Sequence, residues 1–137
     1  LGMLYAYGFG DIRQDLKESE RWLLAAANQG DSSAQSLLGS LYVDRSLGMQ
    51  NLEKAFYWHS KAAEQGESES QLSMSKFYRY GVVVEQDAIT AHMWANIAAS
   101  NGEDMAERAS ISKMLSSDQL REAQRLASEW VKSHKGG

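Results

Sequence analysis

Three histidines, His59, His92 and His134, are the side chains best suited to carry a proton near neutral pH. They lie 33 and 42 positions apart, and no His-x-x-x-His pair sets two imidazoles on one helical face as a local zinc site would. Cysteine is absent, which removes thiolate metal sites and disulfides alike. Serines are plentiful (Ser32, Ser33, Ser36, Ser40, Ser68, Ser70, Ser73, Ser75), but none sits in a nucleophile-elbow sequence. Glu64, Glu67, Glu69 and Glu103 fall near helix junctions, where carboxylates serve as caps or solvated charges. The expectation is a chain with no catalytic residue, no metal and no cofactor, its histidines standing partly exposed on helices.

The chemistry of larger partners is also narrowed. Acidic residues outnumber basic ones by 18 to 14, for a net charge of −4, and the lysines and arginines are scattered. No basic stripe is present to displace counterions from a phosphate backbone, so nucleic acid is not an expected partner. No apolar run reaches the length needed to cross a bilayer. The 137 residues suggest one domain, residues 1–137, and the absence of proline permits long helices. Leu1 already falls inside a repeat, so the lack of a leader peptide carries no weight.

What would position these side chains is a repeat. Trp22, Trp58 and Trp94 are 36 residues apart, and Gly30, Gly66 and Gly102 keep that spacing. Ala26–Ala27, Ala62–Ala63 and Ala98–Ala99 stay in phase, as do Ser19, Ala55 and Ala91. Asp15, Asn51 and Asp87 come seven residues before each tryptophan, and Tyr5, Tyr42 and Tyr78 stand upstream, with one extra residue in the first interval. Several residue types in phase over three copies do not arise by chance.

Each copy reads as a helix pair. Asp15, Asn51 and Asp87 are expected as N-caps, whose side-chain oxygen accepts from a free N–H of the first turn. About 14 residues follow with small and aromatic side chains on one face, and a glycine in the left-handed conformation ends them. Asp31–Ser32, Ser68 and Asp104 are expected to cap the next helix. Gly2 and Gly39 share a position where two helices approach closely, and Ser75 takes it in the third copy. Gly8-Phe9-Gly10, Leu47-Gly48 and Gly81-Val82-Val83-Val84 are expected as helix–helix loops, the valines plugging theirs. The recurring tryptophans are expected in the core. Beyond Gly102 the phase is lost: a helix over Met105–Met114, then a capping box at Ser116 and Gln119 opening a final helix with Leu120, Ala123, Leu126, Ala127 and Trp130 on one face.

These residues resemble the Sel-one-like repeat (SLR), a relative of the tetratricopeptide α/α solenoids. The match is carried by Leu38-Gly39, Tyr42, Lys54-Ala55, Trp58 and Lys61-Ala62-Ala63-Glu64-Gln65-Gly66. The first copy echoes it with Leu1-Gly2, Tyr5, Asp15, Trp22 and Ala26-Ala27-Asn28-Gln29-Gly30; the third is looser, with Met74-Ser75 and Asn101-Gly102. Leu115–Trp130 is similar to the capping helix of many bacterial members. The resemblance implies an all-α, right-handed α/α superhelix of about three SLR helix pairs, over residues 1–30, 31–66 and 67–102, with a C-terminal capping pair over 103–134. Some members carry disulfides between the helices of a repeat; here packing alone must serve.

The resemblance further implies a protein-interaction module, not an enzyme, that binds a protein or peptide on its concave face and leans towards a cell-envelope location such as the periplasm. Alternatives in view are a cell-envelope protein holding peptidoglycan or another polymer, a hydrolase of wall fragments, and a spacer in a longer array. Taking the first helix of each pair as the concave side, the candidate partner-binding residues are Met3, Tyr7, Ser36, Ser40, Asp44, Lys76, Arg79 and Tyr80. Two tyrosines beside Lys76 and Arg79 would suit an extended peptide or acidic segment. Met3, Leu4 and Tyr7 at the uncovered first helix are expected to support self-association.

Overall fold

The computed structural model describes residues 9–45 and 48–134, with side chains from Asp15 onward. Helices alone are found among the described residues: α1 (Phe9–Asn28), α2 (Ser32–Val43), α3 (Leu52–Glu64), α4 (Ser68–Tyr80), α5 (Ala88–Ser100), α6 (Ala106–Ser112) and α7 (Ser117–His134). Helices α2 and α3 form one hairpin and α4 and α5 the next; α3 packs on α4, α1 on α2, and α6 and α7 both close on α5. This is an all-α solenoid of stacked pairs with a C-terminal cap.

The in-phase residues explain the repetition. Asn51 Oδ1 accepts from the Lys54 N–H at 3.1 Å, and Asp87 Oδ1 from the Thr90 N–H at 3.0 Å, capping α3 and α5. The cap residues are anchored in turn, their own N–H groups donating to the carbonyls of Tyr42 and Tyr78, both at 2.8 Å. At the other end of the pairing helices, Gly30, Gly66 and Gly102 have φ of 95°, 99° and 101°. That left-handed turn lets the Gly66 N–H reach the Ala63 carbonyl and the Glu67 N–H the Ala62 carbonyl, at 3.0 and 3.1 Å. The paired alanines of every copy supply these carbonyls.

Neighbouring pairs are stitched by buried amides. Gln35 Nε2 donates to the Ala27 carbonyl and Gln71 Nε2 to the Ala63 carbonyl, each at 3.1 Å. Their oxygens accept from Gln65 Nε2 at 2.8 Å and Asn101 Nδ2 at 2.9 Å. With both ends of each amide engaged, the polar group is buried without an orphaned atom. The core around these stitches is alanine, Leu38, Tyr42, Trp58, Met74, Phe77, Trp94 and Ile97.

Five expectations need correction. Asp15 is not a cap, and Phe9–Gly10 is not a loop, because α1 runs through both. Residues 13–20 are rich in strong helix formers (Arg13, Gln14, Leu16, Lys17, Glu18, Glu20), and one glycine costs only about 1 kcal/mol in a helix interior. Ser68 is the first residue of α4, with Glu67 in the cap position making no capping bond; the Ser68 hydroxyl donates to Glu103 Oε2 at 2.8 Å instead. Trp22 is 70% exposed while Trp58 and Trp94 are 6% and 5%. Helix α3 is packed by both α2 and α4, and α5 by α4, α6 and α7, but among the described elements α1 has one substantial neighbour, α2. Finally, His59 and His92 are buried, not partly exposed.

Other readings hold. Gly39 lies against His59 with no room for a side chain. Val82 and Val84 pack on the core while Val83 points outward. Ser116 and Gln119 form the reciprocal capping box, at 2.9 and 3.2 Å, that opens α7.

Candidate binding groove

The first helices of successive pairs, α2 and α4, run past one another and leave an apolar groove of about 240 Å³. Its wall and floor are Val43, Leu52, Phe77 and Val82; Ser73, Lys76 and Tyr80 stand along it. Each lining residue is placed by an element already described. Val43 is the last residue of α2 and Leu52 the first of α3, directly after the Asn51 cap. Lys76, Phe77 and Tyr80 are separated by one turn or less on α4, and Val82 is the inner residue of the loop plug. Tyr80 is 61% exposed, so the groove has an aromatic edge facing water.

The candidate residues do not all share one surface. Lys76 and Tyr80 line the groove together. Ser40 and Asp44 are exposed on the same helix as Val43, Asp44 serving as the C-cap of α2. Ser36 is buried, with little surface to offer. Arg79 is turned aside: its guanidinium lies 3.1 Å from Glu107 Oε2 of α6 and 4.9 Å from the centre of the Tyr80 ring. Met3 and Tyr7 lie outside the described residues, as does the self-association surface expected from Met3, Leu4 and Tyr7. The groove floor of Leu52 and Phe77 went unread in the sequence, because both look like ordinary core positions.

A second polar site lies at the far end. Glu64 Oε1 accepts from Trp130 Nε1 at 3.3 Å and lies 2.8 Å from His134 Nε2, while the Trp130 and His134 rings stack at 3.8 Å. Trp130 also meets Trp94 edge-to-face at 5.6 Å, so this cluster ties α7 to α3 across α5. Its position makes it a clasp for the cap.

Two of the three histidines, His59 and His92, are buried. His59 Nδ1 sits 2.9 Å from Ser70 Oγ, and burial holds the imidazole down at about 4. His92 Nε2 sits 3.0 Å from Ser112 Oγ; burial first, and then the Arg108 charge, lower its affinity for a proton. Among the described residues no group of three His, Cys, Asp or Glu side chains could hold a metal ion, and no helix is long and apolar enough to cross a membrane.

Comparison with known proteins agrees with the helix pairs. The Sel1 repeat matches residues 1–31, 32–67 and 68–103. No curated protein matches the chain. Among solved structures, a protective antigen present in uropathogenic Escherichia coli strains, displaying an SLR fold, is similar at 29% identity with a TM-score of 0.76 over 90% of this chain. A Sel1 repeat protein from Oxalobacter formigenes is similar at 25% identity with a TM-score of 0.61 over 85% of this chain. The chain spans 26% of the first and 50% of the second. With three tandem matches that follow the tryptophan and glycine phase, the chain belongs to the Sel1 repeat family.

Proposed function

We propose that this chain is a non-catalytic interaction module that takes an extended peptide segment of a partner protein in the groove between α2 and α4. Sel1 repeats are in general protein-interaction modules, which supports the class of function. The observation that carries the site is the groove itself: an apolar floor of Val43, Leu52, Phe77 and Val82, edged by an exposed tyrosine and by Lys76. Such a floor favours an aliphatic or aromatic side chain, and the Lys76 ammonium favours a carboxylate beside it. Lys76 has no ion-pair partner among the described residues, whereas Arg79 is already engaged by Glu107.

The test is fluorescence anisotropy with labelled peptides that carry leucine or phenylalanine next to glutamate, compared with the same peptides carrying lysine or alanine there. Binding by the apolar–acidic set, weakened at least about tenfold in the Lys76→Ala/Tyr80→Ala double variant with helicity unchanged, is the expected result. Equal binding by the double variant would move the site elsewhere. Retention of the chain on purified peptidoglycan, with no peptide bound, would favour a wall-polymer role instead.

A further inference from the structure

Helix α6 is the most lightly held element of the cap. Ile111 is its one buried residue, and it covers Ala91 and Ala95 of α5. Three polar links fasten it: Arg108 Nη1 to Asn96 Oδ1 at 2.7 Å, Glu107 to Arg79 of α4, and Ser112 to His92 of α5. The third link sets the state of the imidazole. Ser112 Oγ donates its hydrogen to the Arg108 carbonyl at 2.9 Å, so towards His92 it can only accept. Nε2 therefore carries the ring hydrogen. Nδ1 is left as a bare lone pair, buried and without a partner.

A second proton on this ring has one place to go, and there it would form a buried N–H⁺ with no acceptor, near the Arg108 guanidinium. Charges from the other packed elements do not relieve this. On α4, Arg79 is cationic and holds Glu107; on α7, Asp118, Arg121, Glu122, Arg125 and Glu129 pair with one another on exposed surface. The ring can be hydrated with the least loss of packing on the α6 side, since the rest of α5 is held by α4 and α7.

We propose that α6 is an acid-released cover, which protonation of His92 lifts from α5 while the stacked repeats stay folded. The test is amide hydrogen exchange of the whole chain between pH 7.5 and 5, corrected for intrinsic rates. Protection of the α6 amides is expected to fall about tenfold per pH unit below about pH 6.5, because one proton is taken up per opening. The α4 and α7 amides open only when the repeats unfold, which exposes His59 as well, so they stay more protected than the α6 amides at every pH even as global stability declines. His92→Gln keeps a donor for Ser112 but takes no proton, so its α6 protection should not change with pH. The proposal is overturned by α6 protection that equals that of α4 and α7 at every pH, by the same fall in His92→Gln, or by protection that rises in acid, as it would if Glu107 turned to the charged ring. Nitrogen NMR of the unaltered chain decides independently of the variant: an Nε2–H ring at neutral pH that titrates in step with α6 opening is expected, and an Nδ1–H ring overturns it.

Discussion

The ring of His59 fills the space that a side chain on residue 39 would need: its Cγ, Cδ2 and Nε2 all lie 2.6 Å from the point where a Cβ on Gly39 would stand. One repeat later the same two positions hold Ser75 and Ala95, both buried, with the Ser75 hydroxyl donating to the Ala91 carbonyl at 2.8 Å. A large residue facing glycine has been exchanged for a small residue facing serine. The two positions share the room at the helix crossing, so bulk on one side is matched by a small residue on the other.

Gly39→Ala should therefore destabilise the chain by about 1–3 kcal/mol, because the buried imidazole cannot step aside. Gly39→Ser combined with His59→Ala reproduces the third repeat and should be less harmful than the two single changes summed. Urea unfolding of all four species gives the coupling, expected at about 1 kcal/mol or more. Additive losses would mean that the two positions do not share a volume.

His59 also predicts a pH dependence. Its folded-state pKa is lowered from 6.5 to about 4 by burial, so below pH 6.5 the unfolded chain binds a proton that the folded chain does not. Stability from this group is full above pH 6.5, declines as pH falls, and levels off below about 4, a loss of about 3 kcal/mol. Thermal melts of the Gly39→Ser/His59→Ala variant should show a visibly shallower decline over that range than the unaltered chain.

The three in-phase tryptophans should behave differently on truncation. Trp58→Ala and Trp94→Ala remove buried rings and should each cost about 3–5 kcal/mol. Trp22→Ala, at a position 70% exposed, should change stability by about 0.5 kcal/mol or less. Its fluorescence should be quenched readily by iodide while that of the other two is protected. Equal quenching of all three would contradict the packing of α1.

Caps should divide in the same manner. Asn51→Ala and Asp87→Ala each remove a side-chain acceptor at a helix start, for about 1 kcal/mol. Asp15→Ala substitutes a better helix former inside α1 and should be neutral or slightly stabilising by chemical denaturation.

Much of this fold is written in the sequence, since the residues that make repeats also make local hydrogen bonds. Glycine after a pair of alanines, the Asn51 and Asp87 caps and the Ser116–Gln119 box each act within a few residues, so spacing locates them, while Asp15 has the same spacing but lies inside α1. What spacing could not show was burial set by neighbours distant in sequence. Trp22 has the type and phase of a core residue, yet its exposure depends on which helices flank α1. His59 and His92 looked like surface polar residues because their hydroxyl partners, Ser70 and Ser112, lie 11 and 20 residues away on other helices. Of the expected groove, Lys76 and Tyr80 were legible as variable residues, while Arg79 was drawn off by a glutamate outside the repeat.

The Gly30 and Gly66 turns are joints of one design, and the 36 residues between them, Asp31 to Gly66, begin and end in the same backbone geometry. Excising that block would join Gly30 to Glu67 and leave Gln71 where Gln35 had stood, facing the Ala27 carbonyl. A chain built in this manner can be shortened or extended by whole modules without learning a new junction, so its reach is free to change while the angle between neighbours is kept.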